Sequence, residues 1–247
     1  NTIMIKKYIL LVFVLFLSGC GISEDCIKNA GNPVSKEFAI ADFDKIRVHS
    51  GISLVVKEGP NFKVIIQSGS NIIDNIEVGK QGDFLVVKDN STCNWTRDFK
   101  AATIFVTAPN ISEIHSKTEQ DIFSDWTLTF PILRLFALNE DEAGTGDFYF
   151  NINNAQTVIE SNHVSNFYIS GNTSELLCNF YFGTGKFYGE NFICQNIKIF
   201  QRGSNDMILK PIQSISGKIL NTGNVILKNN PPIINVEQLF SGHLILN

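Results

Sequence analysis

The heptapeptide GTGDFYF, residues 144–150, is the first stretch whose composition suggests chemistry. A glycine-rich loop can hold a phosphate on its backbone N–H groups when a helix begins behind it and a Lys-Ser or Lys-Thr pair follows. No such pair follows here, and the surrounding pattern predicts no helix. The stretch therefore predicts no phosphate site, and we expect no bound cofactor.

The N-terminus indicates a membrane attachment. Two lysines precede an apolar run over residues 8–17, which is too short to span a bilayer and is typical of a secretory signal peptide. The run ends in LSGC, which resembles the lipobox of bacterial lipoproteins. This resemblance implies that residues 1–19 are a signal peptide, that Cys20 carries the lipid (palmitate), and that residues 20–37 are the tether. We therefore expect a lipid-anchored protein of the bacterial envelope, at the outer membrane, on a face that the sequence leaves open.

Four further cysteines would lie in an oxidising compartment, where disulfides persist. We predict a disulfide between Cys26 and Cys93, because it would fasten the tether to the folded body. Closing so long a loop contributes roughly 4 kcal/mol in the chain-entropy model. Cys178 and Cys194 lie in apolar strand contexts, where a second bridge and two buried free thiols are equally ordinary. No Cys/His spacing indicates a metal site.

From Phe38 onward, apolar residues alternate with polar ones instead of recurring at helical spacing. The runs KIRV, ISLVV, KVII, DFLVV and TIFVTA are rich in β-branched and aromatic residues and are separated by Gly, Asn, Ser and Pro. No window carries a capped helical pattern. The sequence therefore predicts one all-β domain over residues 38–247.

Six related segments follow one another in the second half of the chain: TGDFYF, VSNFYI, TGKFYG, SNDMIL, TGNVIL and SGHLIL. Their fourth residues recur every 18–20 positions, at Phe148, Phe167, Phe187, Met207, Val225 and Leu244. Such a period is typical of a solenoid, in which each turn buries its apolar face against its neighbours. We predict a single-stranded, right-handed parallel β-helix of about 19–20 residues per turn.

The position of a residue within its segment predicts where its side chain points. Residues 4 and 6 should face the core, the glycine at residue 2 should form a corner with φ > 0, and the polar residue 3 should face outward. A second core column is predicted at Thr157, Leu177, Ile197, Ile215 and Ile234.

Residue 5 should point outward and form a stripe of Tyr149, Tyr168 and Tyr188, continued by Ile208, Ile226 and Ile245. An exposed stripe of this kind would bind sugars or protein partners. Residues 38–110 are expected to form an N-terminal β layer, either irregular turns or antiparallel strands, that is continuous with the solenoid. The interpretation that we favour places the stripe beneath this layer. The period is blurred before residue 144, where residues 124–144 suggest an inserted loop, and the structure of residues 115–143 is not predicted.

Four features together resemble the head GIN domain family, the adhesin head domains of bacterial envelope lipoproteins. They are FDKIRVHSGISLVV at 43–56, DFLVV and NSTCNW within 83–95, IFVTAPNISEI at 104–114, and the corners of the form TG followed by a polar and an apolar residue. The resemblance covers the chain from about Phe38 onward. It implies a β-helical fold and a role in adhesion. It departs at residues 117–122, which lack the glycine that is usual in the family.

The charge balance and the spacing of the carboxylates argue against two classes of function, nucleic-acid binding and glycoside cleavage. The 20 basic and 24 acidic residues form no basic run, so we predict no nucleic-acid binding. Asp147 and Asp206 share residue 3 but lie three turns apart, roughly 14 Å, which is too far for a glycosidase pair. We therefore predict a non-enzymatic envelope lipoprotein for adhesion, scaffolding or contact with glycans or surface proteins. The alternative is a carbohydrate-binding or polysaccharide-processing β-helix. We also expect self-association through the C-terminal turn, whose strand edges are open.

Overall fold

The computed structural model describes residues 30–91, 102–138 and 144–246. Within these ranges the chain forms 17 β-strands and one short 3-10 helix, Ile73–Asn75. The strands are β1 (Pro33–Phe38), β2 (Lys45–His49), β3 (Ile52–Glu58), β4 (Lys63–Gly69), β5 (Ile76–Gln81), β6 (Phe84–Asp89), β7 (Ala102–Ala108), β8 (Glu113–Lys117), β9 (Ile122–Leu128), β10 (Ile132–Ala137), β11 (Phe148–Ser161), β12 (Phe167–Phe180), β13 (Phe187–Gln201), β14 (Met207–Ile219), β15 (Val225–Leu227), β16 (Ile233–Gln238) and β17 (Leu244–Leu246). The predicted all-β class is confirmed.

The strands stack into a parallel β-solenoid with two ladders of paired strands. The first ladder has the order β1, β4, β7, β3, β9, β11, β12, β13, β14, β15, β17. The second has the order β5, β6, β2, β8, β10, β11, β12, β13, β14, β16. The long strands β11 to β14 belong to both ladders, because their first halves pair in one and their second halves in the other. They join all strands into one nearly closed sheet.

The repeat predicted from the sequence sets the register of the solenoid. The six fourth residues, from Phe148 to Leu244, are direct partners from one turn to the next. All except Leu244 are fully buried, and the rings of Phe148 and Phe167 stack with centroids 4.6 Å apart. The core of each turn is therefore completed by the side chains at the same position in the neighbouring turns, as expected for a solenoid.

The second core column differs from the prediction at one position. Thr157, Ile197 and Ile215 are buried, but their partner in β12 is Leu176, whereas Leu177 lies on the outer surface. β13 contains an extra residue after Tyr188, where its register with β12 shifts. The connection from β12 to β13, residues 181–186, is also one residue longer than the connections from β11 to β12 and from β13 to β14. A constant spacing counted back from Phe187 therefore displaces the column by one residue and reverses the face of the side chain. Ile234 in β16 pairs with Ile215 and is exposed.

The glycines at residue 2 have a different role from the predicted one. None of Gly146, Gly185, Gly223 and Gly242 has a positive φ. A Cβ atom at Gly146 would instead fall on the carbonyl oxygen of Gln120 in the neighbouring turn, and one at Gly223 on that of Asn205. Glycine is required because two backbone segments approach closely at the corner, and not because the corner is left-handed.

Residue 3 forms a column of hydrogen bonds along the corner, which the sequence analysis did not foresee. Oδ1 of Asp147 accepts from the backbone N–H of Asn166 at 2.8 Å, and Oδ1 of Asn166 accepts from that of Lys186 at 3.1 Å. Asn166 Nδ2 donates to both carboxylate oxygens of Asp147 at 3.2 Å. Asp206 and Asn224 repeat the arrangement farther along. These side chains satisfy backbone donors between successive turns, and Lys186, which has no acceptor, interrupts the column.

The N-terminal strands extend the stack and do not lie over it. β3 pairs with β7 on one side and β9 on the other, and β2 lies between β6 and β8 in the same way. The turn made of β2 and β3 is therefore inserted between two turns that come later in the chain. The antiparallel pairings of β1, β4 and β5 occur at this end. The predicted layer over the stripe is wrong, because these strands bind to strand edges and not to the outer face.

Residues 122–137 are also a regular part of the stack, where the sequence suggested an inserted loop. They form β9 and β10, which pair with the two halves of β11. The period is blurred because the register of β9 with β11 shifts between Phe123 and Thr127. Trp126 lies in this bulge with φ of 70° and is 79% exposed.

The predicted lipid and disulfide cysteines, Cys20, Cys26 and Cys93, lie outside the described residues. Cys178 and Cys194 are buried free thiols, so the alternative of a second bridge is not realised. Burial raises the pKa of both thiols, which keeps them protonated. In the part of the chain that the structure describes, no helix has the length and apolar character needed to cross a membrane.

Candidate interaction face

One outward column of the first ladder is apolar from β4 to β17, and Glu37 of β1 lies in register beyond its first residue. Ten consecutive strands contribute one residue each: Ile65, Phe105, Val55, Phe123, Tyr149, Tyr168, Tyr188, Ile208, Ile226 and Ile245. We call this column the stripe. At the spacing of paired strands it is roughly 43 Å long. The residues from Tyr149 to Ile245 are direct partners in this column, and four N-terminal residues extend it.

Four aromatic rings stack face to face at the centre of the stripe. The ring centroids of Phe123 and Tyr149 are 5.2 Å apart, those of Tyr149 and Tyr168 4.7 Å, and those of Tyr168 and Tyr188 4.5 Å, with interplanar angles of 12° or less. The Nζ of Lys186 lies 4.9 Å from the ring centroid of Tyr188. The ring faces therefore cover one another, and the ring edges and hydroxyl groups are what the stripe presents to a partner.

The stripe is accessible among the described residues. Tyr149 is 36% exposed and Ile245 41% exposed, and the residues between them are half-buried by their neighbours in the column. Desolvation, followed by the charges of the neighbouring Tyr188 and Asp147, raises the pKa of Tyr168 to about 12. The hydroxyl group of Tyr168 is therefore a neutral donor at physiological pH.

The stripe has a notch at Val55, because this side chain is shorter than Phe105 and Phe123 on the flanking strands. A cavity of about 500 Å³ opens here, lined by Ser53, Val55, Thr103, Glu119, Gln120, Asp121 and Phe123. Phe123 stacks on Tyr149 on one side and lines the cavity, and Trp126 follows three residues later in β9. The site thus combines an aromatic wall with carboxylate, amide and hydroxyl groups, which is the usual composition of a ligand site.

The carboxylate of Glu119 is a fixed hydrogen-bond acceptor. It accepts from Ser50 Oγ at 2.7 Å, from the backbone N–H of Gly51 at 3.1 Å and from Gln120 Nε2 at 3.2 Å. The pKa of Glu119 is lowered, because these hydrogen bonds together outweigh desolvation, which is the largest single influence and acts in the opposite direction. Glu119 is therefore ionised and unsuited to act as a general acid.

Asp121 is the second carboxylate at the notch, and its Oδ1 accepts from the backbone N–H of Asp147 at 3.0 Å. The enzyme alternative requires two converging carboxylates, one of them protonated, and the ionised Glu119 does not provide that acid. No group of three or more His, Cys, Asp and Glu side chains suited to a metal ion occurs in residues 30–91, 102–138 and 144–246.

The notch and Trp126 were missed from the sequence because they depend on strand pairing across long separations. Val55 and Phe123 are 68 positions apart in the chain and face each other only because β3 is inserted beside β9. A positive φ is unusual for a bulky residue, and such strain is found at functional sites. The only signal in the sequence was alternation within ISLVV and TIFVTA, which identifies outward residues but not their neighbours.

Comparison with known families and structures identifies one matching family and several proteins with the same fold. The family described as "putative auto-transporter adhesin, head GIN domain" matches residues 42–231, more than half of the chain. A putative adhesin from Bacteroides fragilis has a TM-score of 0.80 at 16% identity, covering 89% of this chain and 100% of that one. One from Parabacteroides distasonis has a TM-score of 0.64 at 11% identity, with coverage of 89% and 100%.

A protein of Parabacteroides distasonis described as a putative lipid binding protein has a TM-score of 0.62 at 14% identity, covering 88% of this chain and 99% of that one. At such identities these likenesses show a shared fold and not a shared ligand. None of the curated proteins matches this sequence.

Proposed function

This chain belongs to the putative auto-transporter adhesin, head GIN domain family, and we propose that it is a non-enzymatic adhesion module of the bacterial envelope. The family's description indicates a protein of the cell envelope or surface. The finer proposal is that the stripe is the contact surface and that a protein is its partner.

The continuity of the stripe is the observation that carries this proposal. A contiguous exposed apolar column is typical of protein interaction sites, and here it runs over ten strands without a charged residue. The flat ladder supports an extended contact, and the phenol hydroxyl groups add hydrogen bonds at its centre. Trp126, beside the stripe in β9, is the type of residue that contributes most to binding energy in interfaces.

Carbohydrate binding is a second candidate, and the notch favours it. A sugar ring can pack its C–H face on an aromatic ring while its hydroxyl groups bind carboxylates and amides, and Phe123, Glu119 and Asp121 provide these groups. Polysaccharide cleavage is not part of the proposal, since the hydrogen-bonded, ionised Glu119 is a poor proton donor.

Two arrays would separate these candidates: one of extracellular and bacterial envelope proteins, and one of neutral glycans. Tyr168→Ser and Ile226→Ser should each reduce binding to the protein array at least tenfold, since one truncates the centre of the stripe and the other its C-terminal part. Phe182→Ser is the matched control, because Phe182 is 54% exposed but lies outside the stripe. Equal binding by wild type and both stripe variants would refute the contact surface. Binding to glycans alone, lost on Phe123→Ala, would favour the second candidate.

We also propose that the chain is lipid-anchored through Cys20 at the outer membrane, which the N-terminal pattern supports. Growth with an alkyne analogue of palmitate should label the wild-type protein in the outer-membrane fraction and leave Cys20→Ser unlabelled. Label on the Cys20→Ser variant would contradict the assignment of the anchor.

Self-association through the C-terminal turn is likewise a proposal. β16 and β17 each have one strand partner among the described strands, and Ile233, Leu239 and Phe240 are 57–62% exposed. We expect light scattering to show dimers that Leu239→Ser with Phe240→Ser converts to monomers. A monomer at high concentration of the wild type would contradict this.

A further inference from the structure

The second ladder carries a cluster of cations and aromatic rings on its outer face. Lys45 and Arg47 are in β2, Phe84 in β6, Glu113 and His115 in β8, and Arg134 and Phe136 in β10. The stacking order β6, β2, β8, β10 brings these residues together from distant parts of the chain. We call this set the basic cluster.

The guanidinium of Arg47 lies over one ring of a group of three aromatic rings. Its Cζ is 4.4 Å from the ring centroid of Phe84. The ring of His115 contacts Phe84 edge-on at 5.2 Å and Phe136 at 4.4 Å. A stacked guanidinium keeps its N–H groups directed outward at its edge, where they can bind a planar carboxylate through two hydrogen bonds.

The basic cluster has more cations than anions. Lys45 Nζ lies 3.8 Å and Arg134 Nη1 3.9 Å from the same oxygen of Glu113, and His115 Nε2 lies 3.0 Å from the other oxygen. One carboxylate therefore serves both of these cations. Arg47 has no acidic partner among the described residues. Glu160 lies one strand beyond Phe136, and even with it two carboxylates face the three cations Lys45, Arg47 and Arg134.

The protonation state of His115 does not change this balance at neutral pH. Burial lowers the pKa of His115, more than its hydrogen bond to Glu113 raises it, and the charges of Arg47 and Lys117 lower it further. The imidazole is therefore neutral, and it serves the cluster as an aromatic surface between Phe84 and Phe136.

We propose that the basic cluster binds the carboxylate of an acidic sugar, a uronate residue of a polysaccharide. The carboxylate would bind the outer edge of Arg47 and the side chain of Arg134, and the C–H face of the pyranose would pack on His115 and Phe136. Charge complementarity supports an anion, and the ring surface beside the cations supports a sugar over a free ion. This site is on a different face from the stripe and does not depend on its role.

The experiment measures binding of oligogalacturonate to the purified protein by calorimetry, beside its fully methyl-esterified form, which has the same sugar without the charge. Wild type should bind the acid form, more weakly as salt increases, and should not bind the ester. Arg47→Gln and Arg134→Gln should each weaken binding about tenfold or more, because each removes a charge-assisted hydrogen bond. Arg47→Lys should give an intermediate loss, since it keeps the charge without the planar edge.

Lys198→Gln is the matched control, because it removes an exposed cation on the same ladder outside the cluster. Thermal unfolding verifies that each variant is folded. If Arg47→Gln does not fold, the test rests on Arg134→Gln. The Arg134 side chain is 46% exposed, so its replacement should leave the fold intact. Unchanged affinity in Arg47→Gln and Arg134→Gln, or equal binding of the ester, would overturn the proposal. Binding to phosphatidylglycerol vesicles with none to oligogalacturonate would overturn it in favour of an anionic lipid surface.

Discussion

Replacing Asn166 by alanine tests whether the corner column stabilises the solenoid. The change removes the acceptor of the Lys186 N–H, which leaves a partly buried donor without its partner and costs about 1 kcal/mol. It also removes the two donations from Nδ2 to Asp147, worth about 1 kcal/mol after screening by solvent. The free energy of unfolding should fall by about 2 kcal/mol, which lowers Tm by about 4–8 °C for a domain of this size.

Urea unfolding followed by circular dichroism measures this difference directly. Asn172→Ala is the matched control, because Asn172 is exposed in β12, the strand that follows Asn166, and makes no hydrogen bond of this kind among the described residues, so its change should stay within about 0.5 kcal/mol. If Asn166→Ala is as stable as Asn172→Ala, the column is incidental and the polar character of residue 3 reflects only its exposure.

Three further predictions concern the corner, the stripe and the thiols. Gly223→Ala should lower the free energy of unfolding by about 2–4 kcal/mol, because its Cβ meets the Asn205 carbonyl, whereas Gly79→Ala, with open space around it, should be tolerated. Because the pKa of Tyr168 is raised to about 12 in the folded state, the free energy of unfolding should fall as the pH rises from 10 to 12. The fall should be smaller in Tyr168→Phe. If urea unfolding gives a difference in free energy between the two proteins that does not change with pH, the prediction is contradicted. Cys178 and Cys194 should react with Ellman's reagent only after unfolding, and a need for prior reduction would show that they are bridged.

The repeats made the second half of the fold predictable. A period of 18–20 residues fixes the partner of each fourth residue, and alternation then fixes which side chains are buried, as for Phe148 and Phe167. The first half was not predictable in this way, because β2 and β3 pair with strands that do not precede or follow them in order. Local patterns identify such strands but contain no information about their place in the stack.

The candidate sites show the same limit. Tyr149 and its neighbours were identified because they belong to the repeat, whereas the notch depends on the insertion of Val55 beside Phe123. Local charge composition also failed to reveal the basic cluster: Arg47 and Arg134 are 87 positions apart and come within two strands of each other only through β8. A prediction that uses a constant period likewise cannot locate single-residue insertions, such as the bulge in β13.

The inserted turn of β2 and β3 has a mechanical consequence. Both of its edges are hydrogen-bonded to strands from later in the chain, so it cannot be peeled away as a terminal turn. Tension applied from the N-terminus, the end at which we propose the anchor, first pulls on β1, which among the described strands pairs with β4 alone. It then reaches the turn of β2 and β3, where strand pairs of both ladders must separate together. At the opposite end, β17 and β15 can be stripped one strand at a time. The turn of β2 and β3 should therefore resist mechanical unfolding more than β1 at one end of the first ladder or β17 at the other.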